Sequence, residues 1–283
     1  MKTSIIILTF NSLDLNRKCI DSVLKNTKGD FEIIIVDNAS TDSTPDYLKT
    51  LTDSKIKVIL NKENLGFSKG NNIGAKNATG NVLVFLNNDN EVKEAWLEPL
   101  LRQLQKEKVG IVAPKLLYPD GKIQHAGIVI SSKHIPRHIY RRFNSGFEHA
   151  NKLRSYKAVT GACLAIKKEI WVKAKGFDEK YINGLEDVDL CFKARELGYK
   201  VFYVPESTVI HHESISKDRF TYVFRNIELY LERWKDVEPD EDKTYVKDGF
   251  GWFFILRQHV KNRYLTGNYK EKISLVLKKI IQK

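Results

Sequence analysis

Cysteine is scarce in this chain of 283 residues: Cys19, Cys163 and Cys191 are all it has. An odd number, widely spaced and in no zinc-binding pattern, argues against a disulfide framework and against a cysteine-built metal site. A reducing cytosol is the expected home. Long apolar runs are missing as well. The first run, residues 4–9 (SIIILT), turns polar too soon for a secretory core, and nothing reaches the roughly 18–20 apolar residues of a membrane span. The longest late run, residues 249–256 (GFGWFFIL), suits an interface at best. Internal repeats and low-complexity segments are absent. Acids are nearly missing from one end. From Arg257 onward eight basic residues stand against Glu271 alone, a net +7.

What is present fits a globular protein of one or two domains, with 42% hydrophobic residues and a net charge of +12. Besides the tail, Lys133, Arg137, Arg141, Arg142, Lys152, Arg154 and Lys157 face only Glu148 in their stretch. Such charge suits nucleic acid, anionic lipid or a pyrophosphate, and composition does not choose among them. No nucleic-acid motif accompanies it, so no nucleic-acid partner is expected.

Residues 4–9, 32–37 (EIIIVD), 57–60 and 82–87 (VLVFLN) read as strands, the longer ones as strands buried on both faces. Helices are expected between them over 13–24, capped by Asn11 or Ser12, over 44–51 with Pro45 in the first turn, and over 67–78. The alternation predicts an α/β fold, Rossmann-like and three-layered, with a mainly parallel central sheet. Further strands are expected at 109–115, 162–167, 200–204 and 208–211, a helix at 186–197, and a long basic loop at 131–157. Beyond residue 217 the chain reads as basic, aromatic helices.

Ligands of open parallel sheets bind beyond the carboxyl ends of the strands. Those ends here carry Thr9 and Asn11, then Asp37, Asn38 and Ser40, then Asn87, Asn88 and Asp89. Each alone is an ordinary cap or turn residue, and the three tips together favour a nucleotide-sized site. Glu186 and Asp187 open a helix after a glycine-containing loop, where acids suit the helix dipole and where a general base would also serve. His211-His212 ends a strand, a placement compatible with metal ligation. A sugar nucleotidyltransferase would need a glycine-rich phosphate loop, and residues 11–16 (NSLDLN) contain no glycine. A non-catalytic basic module that binds membrane or nucleic acid is the other competing reading.

Taken in order, SIIILTFN, IIIVDNASTD, NLGFSKGNNIGAKNATGNVLVFLNND, TGACLAIKKEIW and GFDEKYINGLEDVDLCFKARELGYKVFYVPESTVIHHES resemble the inverting family-2 glycosyltransferases of the A-type fold. The closing segment is most similar to the bacterial rhamnosyltransferase-like branch that builds cell-surface polysaccharides. The resemblance implies a catalytic domain over 1–216, its nucleotide-sugar half at 1–110 and its acceptor half at 111–216, followed by a helical region at 217–283. It implies a UDP- or dTDP-linked sugar donor, dTDP-rhamnose among the candidates, and a glycan or lipid-linked acceptor. Thr9, Asn11, Asp37, Asn64, Gly66, Lys69 and Asn88 would bind the donor. Gly161, Ala162, Cys163 and Glu186 would shape the sugar and acceptor pocket, and Asp187 would be the base. Asp89 and His211 would hold Mg²⁺ or Mn²⁺. Asn87 and Asn88 stand where the family's metal motif usually carries further acid, so Asp89 would hold its cation less tightly. The tail suggests a cytoplasmic enzyme at the inner face of the cell membrane. Ile273, Val276, Leu277, Ile280 and Ile281 recur at helical spacing, and their face would meet anionic lipid, the catalytic domain or a second subunit of a homodimer.

Overall fold

The apolar runs of the first half become strands because each is buried on both faces: Ile5, Ile6, Ile7, Ile33, Ile34, Ile35, Val84 and Phe85 are all fully buried. Burying one such side chain contributes about 1.5–3 kcal/mol, so a strand of this kind is held far more firmly by its surroundings than by intrinsic propensity. The computed structural model describes residues 1–213, 221–256 and 258. In chain order the elements are β1 (Thr3–Thr9), α1 (Leu13–Asn26), β2 (Phe31–Asp37), α2 (Thr44–Lys49), β3 (Ile56–Leu60), α3 (Gly66–Asn77), β4 (Val82–Asn87), β5 (Asn90–Val92), α4 (Leu97–Leu104), β6 (Val109–Leu117), β7 (Ile123–His125), β8 (Ile128–Ile130), β9 (Pro136–His138), β10 (Arg154–Tyr156), β11 (Cys163–Lys167), α5 (Lys168–Lys173), α6 (Glu186–Glu196), β12 (Lys200–His211), α7 (Val223–Trp234) and α8 (Glu241–Lys247).

The main sheet runs β10-β12-β6-β11-β4-β1-β2-β3, with β5 on β12 and β7 on β6. The β3-β2-β1-β4 half is parallel throughout. β6 and β12 are also parallel to one another, but β11 enters between β4 and β6 antiparallel to both. The start of β11 therefore lies beside the carboxyl end of β4. α3 lies very close on β1. A Cβ on Gly70 or Gly74 would sit 2.4 Å from Leu8 Cδ1 or Ile6 Cγ2, so both positions admit only glycine at this spacing.

The expected loop over 131–157 is more ordered than its charge suggests. It contains β9, a 3₁₀ turn over Glu148–Asn151 and β10, which pairs antiparallel with β12. The two strands expected at 200–204 and 208–211 are one, with a register shift between Val204 and Thr208 that absorbs Pro205. Neither expected cap of α1 forms. Ser12 is left-handed (φ 65°) without a side-chain cap bond, and Asn11 bonds elsewhere.

By its internal contacts the chain divides into two compact units, one of Met1–Ile128 with His138–Ile215, the other of Val129–Arg137 with Ser216–Lys283. In the second, Ile130 and Asp240 exchange backbone and side-chain hydrogen bonds at 2.9 and 2.7 Å. Phe250 and Phe254 pack against each other with tilted rings, and both meet Tyr245 edge-to-face. Trp252 and Phe253 remain 69% and 91% exposed. Apart from Gln258, the basic tail from Arg257 and its expected amphipathic helix lie outside the described residues. No helix among the described residues is long and apolar enough to cross a membrane.

Candidate active site

The tips of β1 and β2 are knitted together. Thr9 Oγ1 donates to Asp37 Oδ1 at 3.0 Å, Ser40 Oγ donates to the same oxygen, and the Ser40 N–H donates to Oδ2 at 3.0 Å. Asp37 is almost wholly buried, and among the described residues Oδ2 accepts from one protein donor, which leaves it a lone pair to spare. Asn11 folds over this turn, its N–H on Ser40 Oγ at 2.7 Å and its Oδ1 accepting from the Thr41 N–H at 2.7 Å. Beside it Asn38 Nδ2 reaches Asn64 Oδ1 at 3.3 Å and the Gly66 carbonyl at 3.1 Å, so Asn64 and Gly66 are tied to the tip of β2. Lys69 is exposed in the first turn of α3 and forms no ion pair among the described residues.

The tip of β4 meets the start of β11 and the end of β12. The Asn87 N–H donates to the Ala162 carbonyl at 2.9 Å, and Asn90 Nδ2 bonds the same oxygen. Asp89 and His211 are both buried, with Oδ1 and Nε2 3.1 Å apart. The His212 N–H donates to the Asp89 carbonyl at 3.0 Å. One residue before Ala162, the Gly161 N–H donates to Asp187 Oδ2 at 2.7 Å, and a Cβ there would come within 3.0 Å of the Asp187 side chain. Asp187 is thus tied through Gly161 and Ala162 to the β4 tip, and Asp89, two residues beyond Asn87, pairs with His211. Cys163 differs from its neighbours. Its side chain is fully buried in the hydrophobic core, and burial pushes the thiol pKa far up, so only its backbone can border a pocket.

α6 starts on strained backbone. Asn183 and Leu185 both take left-handed conformations, with φ of 54° and 73°. For a leucine this costs on the order of 1–2 kcal/mol, and such strain concentrates where a functional group must be aimed. The kink places Glu186 and Asp187 in the first helical turn. Glu186 is buried, and burial, reinforced by the Asp187 charge, pushes its pKa up to about 8. At neutral pH Glu186 therefore holds its proton. Because its ordinary value is 4.5, the folded state binds the extra proton between about 4.5 and 8, and stability falls as pH rises through that window. Glu186→Gln should accordingly melt several degrees above the wild type at pH 8 and close to it at pH 4. A difference in Tm that does not change with pH would contradict this.

Two residues of the site escape a reading of the sequence by strand tips. Asn16, on α1, bonds Asn88, Asn11 and Thr44, and its place on the buried stripe with Cys19, Ile20 and Val23 was the available signal. Arg141 chelates both Glu213 oxygens at 3.0 and 3.2 Å and donates to Tyr118 at 2.6 Å, which fixes the segment just past His211-His212. Only its membership of a basic stretch was visible beforehand.

A parallel α/β half that ends in a cluster of polar strand tips, joined through an inserted antiparallel strand to a carboxylate pair, defines the A-type glycosyltransferase fold. The family model described as glycosyl transferase family 2 matches residues 4–170, and the chain belongs to that family. A second model, described as the N-terminal domain of galactosyltransferase, matches residues 141–215. An uncharacterized protein, y4gI, of Sinorhizobium fredii is 34% identical over 248 residues, which are 82% of this chain and 27% of that protein. The O-antigen biosynthesis protein RfbC of Myxococcus xanthus is 35% identical over 224 residues, 76% of this chain and 18% of that one. The chain thus spans about a fifth to a quarter of these curated relatives. Among solved structures, GalNAc-T7 with UDP, GalNAc and Mn²⁺ superimposes with a TM-score of 0.64 at 19% identity, covering 95% of this chain and 58% of that one, a likeness of fold.

Proposed function

We propose that the chain is an inverting glycosyltransferase that moves a sugar from a UDP- or dTDP-linked donor to a hydroxyl of a glycan or lipid-linked acceptor in surface polysaccharide synthesis. The hydrogen bond from Gly161 N–H to Asp187 carries the reading, because it joins a carboxylate at the α6 mouth, through the neighbouring Ala162, to the Asn87–Asp89 strand tip. Asp37 with Thr9 would take the base, Asn64, Gly66, Lys69 and Asn88 the ribose and diphosphate side, and Gly161, Ala162, the Cys163 backbone and neutral Glu186 the sugar and acceptor. The domain boundary near 216 goes with this assignment.

Asp89 and His211 fit a divalent cation. Their 3.1 Å separation is close to the roughly 2.9 Å edge of an octahedron with ligands near 2.05 Å. No three His, Cys, Asp or Glu side chains converge among the described residues, so diphosphate and water would complete the sphere, as suits Mg²⁺ or Mn²⁺. A bound cation supplies neutralising charge for the departing diphosphate. Asp187 takes the proton of the acceptor hydroxyl, whose oxygen attacks the anomeric carbon on the face opposite the nucleotide. The bond to the diphosphate breaks as the new glycosidic bond forms. No second carboxylate nucleophile is needed, and Glu186, protonated at neutral pH, is poorly suited to be one. A panel of nucleotide sugars assayed for hydrolysis and transfer tests the proposal, with turnover expected from one uridine or thymidine diphosphate sugar. Silence across the panel sinks it.

The inner face of the cell membrane is the proposed workplace. Trp252 and Phe253 are exposed beside a sequence carrying +7, a pairing suited to anionic lipid at on the order of 1 kcal/mol per basic residue. Full-length protein should co-sediment with anionic vesicles at low salt, and Phe253→Ser should weaken this. Indifference to vesicles would leave that surface to the catalytic domain or a second subunit.

A further inference from the structure

Asn16, the fourth residue of α1, is fully buried although asparagine is a poor helix former. Its Nδ2 donates to the Asn11 carbonyl at 2.9 Å and to Thr44 Oγ1 at 3.0 Å, and its Oδ1 accepts from Asn88 Nδ2 at 2.6 Å. The order of these bonds is dictated by chemistry. A backbone carbonyl can only accept, so the Asn11 oxygen fixes which end of the Asn16 amide faces it. The Asn16 oxygen must then face Asn88, and Asn88 must answer with its NH₂. Asn88 is thereby left with Oδ1 on its other side, where no described residue donates to it.

We infer that Asn16 is a positioning residue that sets the amide of Asn88, so that an acceptor oxygen is what the metal motif offers to a ribose hydroxyl of the donor. The inference rests on the nucleotide-sugar reading above. It explains how asparagine stands in where a carboxylate would be symmetric. A carboxylate needs no orienting, whereas an amide turned the wrong way presents N–H groups and repels nothing but other donors. The site remains neutral at this position and still accepts. Were Asn16 only a tie between α1 and α2, its bond to Thr44 would suffice and Asn88 would be indifferent to it.

The test is a double-mutant cycle on the full chain, with uridine diphosphate and Mn²⁺ as probe in calorimetry. Asn16→Ala should weaken binding about tenfold, the loss of one buried hydrogen bond and its orientation, and raise the donor KM with little change in kcat. In an Asn88→Ala background the same substitution should change nothing. Equal losses in both backgrounds overturn the inference. Asn88→Asp, which leaves Asn16 intact, sets a carboxylate oxygen against Asn16 Oδ1. It should bind the probe less well than the wild type despite its added charge, and tighter binding overturns the inference even should Asn16→Ala fold poorly. Thermal unfolding of the same four proteins needs no ligand. Coupling between the two positions supports the amide relay, and additive losses of Tm sink it. A wild type that binds no uridine diphosphate counts against the nucleotide reading, and the melting cycle still decides the relay.

Discussion

Asp187→Asn should lose transfer by on the order of 10² to 10⁴ in kcat while nucleotide binding stays intact. The amide matches the carboxylate in size and can still accept the Gly161 N–H, so the α6 mouth and the β11 start should keep their places. What it cannot do is take a proton. The bond now made by Asp187 Oδ1 with the Val188 N–H, 2.8 Å, tolerates the exchange less well, and a small drop in Tm is expected alongside. Calorimetry with the nucleotide and a turnover assay on one preparation separate the outcomes. The substitution also removes the Asp187 charge that helps to raise the Glu186 pKa. Any residual activity should therefore come from Glu186 and grow with pH. Normal turnover at neutral pH would move the base to another group.

Chelation should have an effect of similar size. With Asp89 the one acid at the β4 tip and His211 against it, EDTA is expected to bring transfer to background and Mn²⁺ or Mg²⁺ to restore it. Asp89→Ala should not be restored by either. His211→Ala should demand more cation for the same rate, on the order of tenfold or more. Full activity in EDTA would mean that the asparagine-rich motif works without metal. Should His211→Ala prove silent, His212 is the substitute, because its backbone already bonds the Asp89 carbonyl.

Much of this architecture was legible from periodicity. β2, β4 and α6 fall within a residue or two of their expected bounds, because runs buried on both faces and a helix stopped by Gly198 leave little choice of register. The strand tips were legible for the same reason, since Thr9, Asp37 and Asn87 simply follow the last apolar residue. The antiparallel entry of β11 was not. Cys163–Lys167 is apolar in either direction, and direction depends on where residues 118–160 travel. Nor was the β10 pairing visible, because Arg154 and Ser155 give no alternation strong enough to stand out from their basic surroundings. The relations that make the site, Gly161 with Asp187 and Asn16 with Asn88, join positions 26 and 72 residues apart. Distances of that kind are set by packing rather than by any local pattern.

The late arrival of β11 bears on how the molecule is made. β4 is reached by residue 87, but its neighbour on one side begins at residue 163. A ribosome adding about 5–20 residues per second needs several seconds to supply it. During that interval Val82–Asn87 presents an open, hydrophobic strand edge, the kind that templates association between chains. The Thr9–Asp37 hydrogen bond can form before β11 is made, whereas the Gly161 donor for Asp187 does not yet exist. Nucleotide supplied to nascent or truncated chains should then act as a folding aid for the first half without conferring any activity. Fragments that stop short of β11 should collect as aggregates rather than as half-enzymes.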